Sequence, residues 1–155
     1  LSTKEKQWIE AVVKEMKIIW GITKYDFMGF ELIPGMIFSY HHIKKDTGGG
    51  DVCIDNGAIL VRQTSHNYLH TIECYNLKMY AELQKIMSII NNQQILPTKA
   101  QLIWINEILY EFEKMYDGET TKTRQFVLKP EYKKRLSPEN KIYNFTEPWP
   151  GGIPI

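Results

Sequence analysis

The apolar positions of this chain change their spacing several times, and each change marks an element. Trp8, Ile9, Val12, Val13, Met16, Ile19 and Trp20 recur at helical intervals, laying one stripe along a helix that should pack against a core. Ser2 and Glu5 precede the stripe at capping-box spacing and Gly21 follows it, so an N-terminal helix is predicted over 1–21. Residues 22–37 lose the period and carry Gly29, Pro34 and Gly35, which reads as irregular chain. Ile37, Phe38 and Tyr40 then favour a strand over 36–43, and a second strand is predicted from Ala58 to Arg62, behind an Asn56-Gly57 turn. Gly48, Gly49 and Gly50 make the connection between them a loop. From Ser65, read as an N-cap, helical spacing returns through Leu69, Ile72, Tyr80, Leu83, Ile86, Met87 and Ile90 and predicts one long helix. Pro97, the Thr98/Gln101 capping box and the stripe Leu102, Ile105, Ile108, Leu109, Phe112 and Met115 predict a further helix over 98–117. Residues 119–155 carry five prolines and read as an extended basic arm. With no internal repeat and no clear boundary, the chain reads as a single α+β domain over 1–155, its core at 36–90 flanked by helices.

Composition narrows the function only by exclusion. A length of 155 residues suits one domain with a modest core. A formal net charge of +1 excludes a uniformly basic nucleic-acid binder, so any such attraction must come from local patches. Two exist: residues 122–141 hold seven positive and two negative side chains, and Lys44 and Lys45 sit in the Gly-rich loop. No apolar run reaches the roughly 18 residues of a membrane span, so no membrane partner is expected. Cys53 and Cys74 are too few for a disulfide scaffold, which points to two buried free thiols in an intracellular, cytoplasmic chain. The chain begins with Leu1, so a trimmed N-terminus, a cleaved targeting segment and a secreted toxin all stay open.

The candidate chemistry lies in one stretch. All four histidines, His41, His42, His66 and His70, fall between residues 39 and 70. His66 and His70 are four apart, which on a helix brings both imidazoles to one face and within reach of one metal ion. His41 and His42 are adjacent and on a strand would point to opposite faces, unless the strand frays toward the glycine loop. The order is strand, glycine loop, Asn56, strand, helix, with histidines at both ends.

Here the stretch HHIKKDTGGGDVCIDNGAILVRQTSHNYLH resembles the HNH endonuclease family, whose fold is the ββα-metal motif, and most resembles its colicin-type arrangement. It covers about a fifth of the chain. The resemblance implies that His41, His66 and His70 hold a divalent metal, that His42 is the general base, and that Asn56 pins the loop so the base keeps its orientation. It implies DNA as substrate, with RNA as an alternative. The CxxC pairs with which many members bind a structural zinc are absent from this sequence.

The residue types suit that chemistry in their own right. An imidazole titrates near neutrality and can take a proton from water. Neutral imidazoles suit Zn, Ni, Co or Mn better than Ca. Mg prefers oxygen ligands, yet stays open as the ion used in the cell. Arg62, Lys44 and Lys45 are candidate phosphate contacts, Arg62 through two parallel bonds; Asn67 is a further candidate, and Glu73 can orient a ligand imidazole. Three rivals stay open: an RNA-cleaving toxin, a non-catalytic binding module of a larger assembly with a protein partner that supplies target choice, and a structural zinc site built from Cys53 or Cys74 with histidines.

Overall fold

Both predicted capping boxes form in the computed structural model of the protein, which describes residues 1–45 and 51–116. Ser2 Oγ accepts from Glu5 N at 3.1 Å and the Glu5 carboxylate accepts from Ser2 N at 3.2 Å, so helix α1 runs Thr3–Trp20. Gly21 ends it at φ 70, the left-handed conformation that a residue without Cβ adopts at least cost. Thr98 and Gln101 repeat the device at 3.1 and 2.8 Å, and helix α4 runs Lys99–Tyr116. The predicted basic arm at 119–155 and the loop glycines 48–50 lie outside the described residues.

The two strands pair antiparallel: β1, Phe38–His42, against β2, Gly57–Val61. Every residue of β2 is buried, because α1 packs on one side of the ribbon and helix α3, Leu77–Gln93, on the other. Helix α2, Asn67–Tyr75, leans on α3, and α4 packs on α3 from outside. Trp20 Nε1 donates to the Ile90 carbonyl at 3.1 Å, tying the end of α1 to the end of α3. Among the described residues the result is α+β, four α-helices around one small sheet, with strand, strand and helix in the order the sequence predicts.

Several local expectations are corrected. The long helix from Ser65 to Ile90 is two helices: Asn76, at φ −154 and ψ 88, breaks it and caps α3 by accepting from Met79 N at 3.0 Å. Ser65 is no N-cap. It is fully buried in a π-helical turn, Arg62–His66, that joins β2 to α2. Asn56 closes a 3-10 turn, Ile54–Asn56, and Gly57 is extended at φ −120. The glycine is required by proximity instead: a Cβ there would lie 2.3 Å from the Tyr40 ring. Trp8 and Ile19, placed in the core stripe by spacing, are 58% and 36% exposed. Trp8 uses its indole N–H to hold the Val52 carbonyl at 2.8 Å.

The irregular segment 22–37 supplies core. Phe27, Met28 and Phe30 are buried, and Phe27 N bonds the Ile59 carbonyl at 3.0 Å, fastening the segment to β2. Its organiser is Asp26, fully buried. One carboxylate oxygen accepts from Met28 N at 2.8 Å and Phe30 N at 2.9 Å. The other accepts from Val61 N at 2.8 Å and from the Ser65 hydroxyl. Four donors thus converge on one side chain at the junction of β2 and the π-turn.

Asp26→Ala leaves the Met28, Phe30 and Val61 N–H groups buried without that acceptor, while Ser65 Oγ keeps the Val61 carbonyl at 3.3 Å, and each such lost partner costs roughly 1–3 kcal/mol. We expect a loss of at least about 3 kcal/mol in urea denaturation. Asp26→Asn, which turns an NH₂ toward two of the donors, should fall in the same direction. Wild-type stability in both would remove Asp26 from this role.

Candidate metal centre

Strand alternation decides what each histidine of the pair meets. His41 is 2% exposed and turns toward α2 and α3. His42 turns the other way, its ring edge-on to Tyr40 at 5.0 Å between centroids, and lines the groove between α1 and β1. His66 ends the π-turn in right-handed helical conformation, at φ −64 and ψ −49. It therefore stays in phase with His70 one turn on, although it precedes the α-helix proper, and their ring centroids lie 4.9 Å apart. His41 stands 5.2 Å from the His66 ring and 5.4 Å from the His70 ring.

One ligating atom from each of His41, His66 and His70 falls within 4.8 Å of the other two. Tetrahedral bonds of 2.0–2.1 Å would bring such nitrogens to about 3.3 Å.

The partners of the rings show which nitrogen each can offer. The Gln84 amide donates to the carbonyls of His42 at 3.0 Å and Ile43 at 2.7 Å, which fixes its orientation. Its oxygen then faces His41 Nε2 at 2.6 Å, so that nitrogen carries the proton. His41 Nδ1, buried and without a hydrogen-bond partner, keeps its lone pair. Ser39 Oγ donates to the Leu60 carbonyl at 3.2 Å and meets His66 Nδ1 at 2.6 Å as acceptor, leaving Nε2 free. The Glu73 carboxylate accepts from His70 Nδ1 at 3.1 Å, again leaving Nε2. Each imidazole is thus held by a different oxygen on its outer side, the arrangement that orients metal-ligating histidines. The donor set, three neutral nitrogens with one orphaned and buried, fits a divalent cation of the Zn, Ni or Co kind.

Charge agrees with the geometry. Burial, ahead of neighbouring charges, pushes His66 down to about 3 and His41 down to about 4, and the Gln84 bond offsets only part of the effect on His41. His70 is lowered too, by burial and then by Lys45. All three are neutral near pH 7, so a cation need displace no proton.

The remaining predicted residues divide. Asn56 accepts from Lys44 N at 2.8 Å and donates to the Lys44 carbonyl at 3.0 Å and the Asp51 carbonyl at 3.5 Å, bridging the two ends of the glycine loop. Arg62 is exposed and lines the same groove as His42. Lys44 is exposed. Lys45 is drawn away from the role of free phosphate contact: its ammonium pairs with Glu73 and lies 5.7 Å from the Tyr80 ring centre. Asn67 is exposed at the start of α2. Cys53 is half-buried and Cys74 exposed, not two buried thiols, and the metal-competent group among the described residues contains neither. Sequence reasoning missed Gln84 and Ser39. Ser39 sits two residues before His41 on the same strand face, a readable signal; Gln84, 43 residues from its partner, gives none. Among the described residues no helix is long and apolar enough to cross a membrane. Comparison with protein-family models, curated proteins and solved structures finds no match.

Gln84→Leu removes the acceptor that fixes His41. We expect metal affinity to fall roughly 10–100-fold in competition with a chromophoric chelator; an unchanged affinity would show that His41 needs no such partner.

The metal-free protein should also gain stability as pH rises from about 4 to 6. Unfolded, His41 and His66 bind protons below roughly 6.5, whereas folded they bind them only near 4 and 3. Asp26 works in the opposite sense, burial pushing it up to about 6 despite its four donors. In that window the unfolded chain holds two extra imidazole protons and the folded chain one extra carboxyl proton. The net slope is about 1.4 kcal/mol of added stability per pH unit. Calorimetry between pH 4 and 7 checks it: Tm should climb and then level, and His66→Gln should flatten the climb.

Proposed function

We propose that this chain is a metal-dependent endonuclease of the HNH kind that hydrolyses phosphodiester bonds in DNA. One divalent cation, Zn, Ni, Co, Mn or Mg, is held by His41, His66 and His70, and His42 is the general base. The observation that carries the reading is the division of the four imidazoles. Three offer a nitrogen each to one shared space, while the fourth, adjacent in sequence, stays outside it in an open groove.

A bound cation supplies polarisation of a phosphoryl oxygen and stabilisation of the departing 3′ oxygen. The protein's own groups do the rest. His42 takes the proton of the attacking water as its oxygen bonds to phosphorus. The bond from phosphorus to the 3′ oxygen breaks, and that oxygen leaves to be protonated by solvent. Asn56 grips both main-chain groups of Lys44, and its own carbonyl accepts from Ile43 N at 2.9 Å. It thereby steadies the end of β1 that carries His42. The Tyr40 ring, seated against Gly57, buttresses His42 from the side. Arg62 in the same groove offers two parallel bonds to a phosphate. Lys45 contributes less directly, through Glu73 to His70.

The test is plasmid nicking by metal-loaded protein, with and without EDTA, beside metal content. His42→Ala should lose cleavage by roughly 10²–10⁴-fold and keep its metal. His70→Ala should lose both. A His42→Ala variant that nicks at wild-type rate would sink the mechanism, metal uptake without any nicking would leave a binding module, and cleavage of RNA alone would move the substrate.

A further inference from the structure

The groove that holds His42 has a volume of about 590 Å³ and is lined along α1 by Lys6, Lys14 and Lys17 and across from them by Arg62. Among the described residues, Glu10 is the one acidic residue in its wall. Its floor is apolar, with Ile9, Val13, Ile37 and Phe38 prominent. We propose that this groove binds a single strand of DNA and leads it to the centre described above, a proposal that rests on the nuclease reading and adds the form of its substrate.

Charge selects a polyanion. Lys6, Glu10 and Lys14 are four residues apart and Lys17 follows by three, so the cations run as a row along one face of α1. Lys17 is held over the Phe38 ring, 5.4 Å from its centre, which keeps its charge at the groove's edge. A row of cations above an apolar and aromatic floor is the arrangement that tracks a sugar–phosphate backbone while bases lie against the floor. A duplex hides the base faces and gains only the phosphate contacts.

The hydroxyls near the floor are already engaged. Tyr40 Oη donates to the Cys53 carbonyl at 2.7 Å, and Ser39 Oγ serves Leu60 and His66. A ribose 2′-OH laid against Ile9, Val13 and Ile37 would find no partner on that floor, which favours deoxyribose. Two residues of the groove's wall adjoin the centre: His42, next to His41 in sequence, and Ser39, whose hydroxyl touches His66.

The experiment measures binding apart from cleavage. A fluorescein-labelled oligo-dT of about ten nucleotides, within the usual span of such grooves, its duplex and its RNA counterpart are titrated with the full-length His70→Ala protein in EDTA. Anisotropy should show oligo-dT bound tighter than either competitor. Adding Lys6→Glu and Lys14→Glu should raise Kd at least about tenfold and lower the slope of log K against log salt by roughly 1.4, two phosphate contacts at 0.7 each. Lys6→Gln with Lys14→Gln should move in the same direction by less. Lys78→Glu with Lys85→Glu, on exposed positions of α3, should change neither quantity by as much. Groove variants that bind like the parent, or duplex or RNA bound as tightly as oligo-dT, would overturn the proposal. The nuclease reading is judged separately by nicking: binding in the groove without cleavage would leave this site standing, and cleavage indifferent to the groove variants would remove it.

Discussion

One carboxylate, sealed from water, sets where β2 stops and the histidine-bearing turn begins. Asp26 accepts from Val61, the last residue of the strand, and from Ser65, the fourth residue of the π-turn. Its other oxygen holds the loop that presents Phe27, Met28 and Phe30 to the core. A buried charge is stabilised only when every lone pair is used, so the four donors and the carboxylate constrain one another. Shift the junction by one residue and His66 turns away from His41. The imidazoles depend on a contact that none of them makes.

The centre is asymmetric, and the asymmetry has a physical origin. His41 comes from a strand and is deeply buried, with its Nε2 committed to Gln84. His66 and His70 come from successive helical turns, with their Nδ1 atoms committed to Ser39 and Glu73. A strand and a helix approach a common point from different directions, and different ring nitrogens face it. The anchors also differ in polarity: a neutral amide, a hydroxyl and a carboxylate. Glu73 orients His70, the most exposed of the three, through one carboxylate oxygen and pairs with Lys45 through the other.

Sequence made some of this legible and hid the rest for definable reasons. The capping boxes at Ser2/Glu5 and Thr98/Gln101 were readable because their partners are three residues apart. The paired strands were readable from short apolar runs, and the metal-competent trio from the four-residue spacing of His66 and His70 with histidine on the facing strand. Asp26 was invisible, because its donors are recruited from residues up to 39 positions away and its own segment has no period. The break at Asn76 was missed because apolar spacing resumes in register on both sides of it. Gln84 carried no signal at all, being one polar residue among several on an amphipathic helix. Lys45 lies beside the histidines, as its position suggested, and pairs there with Glu73, a contact its sequence neighbours do not signal.

The adjacent pair His41-His42 shows how a strand separates two roles without separating two residues. Alternation sends Ser39 and His41 toward α2 and α3, and Phe38, Tyr40 and His42 toward α1. The first face is buried and polar only where rings need orienting. The second is open and edged with cations. A base that shared the buried face would compete for the cation as a fourth ligand and lose its proton-accepting lone pair. A ligand on the open face would lack Gln84 and the desolvation that keeps it neutral. The two-residue period of one short strand therefore gives each ring the environment its proposed task requires.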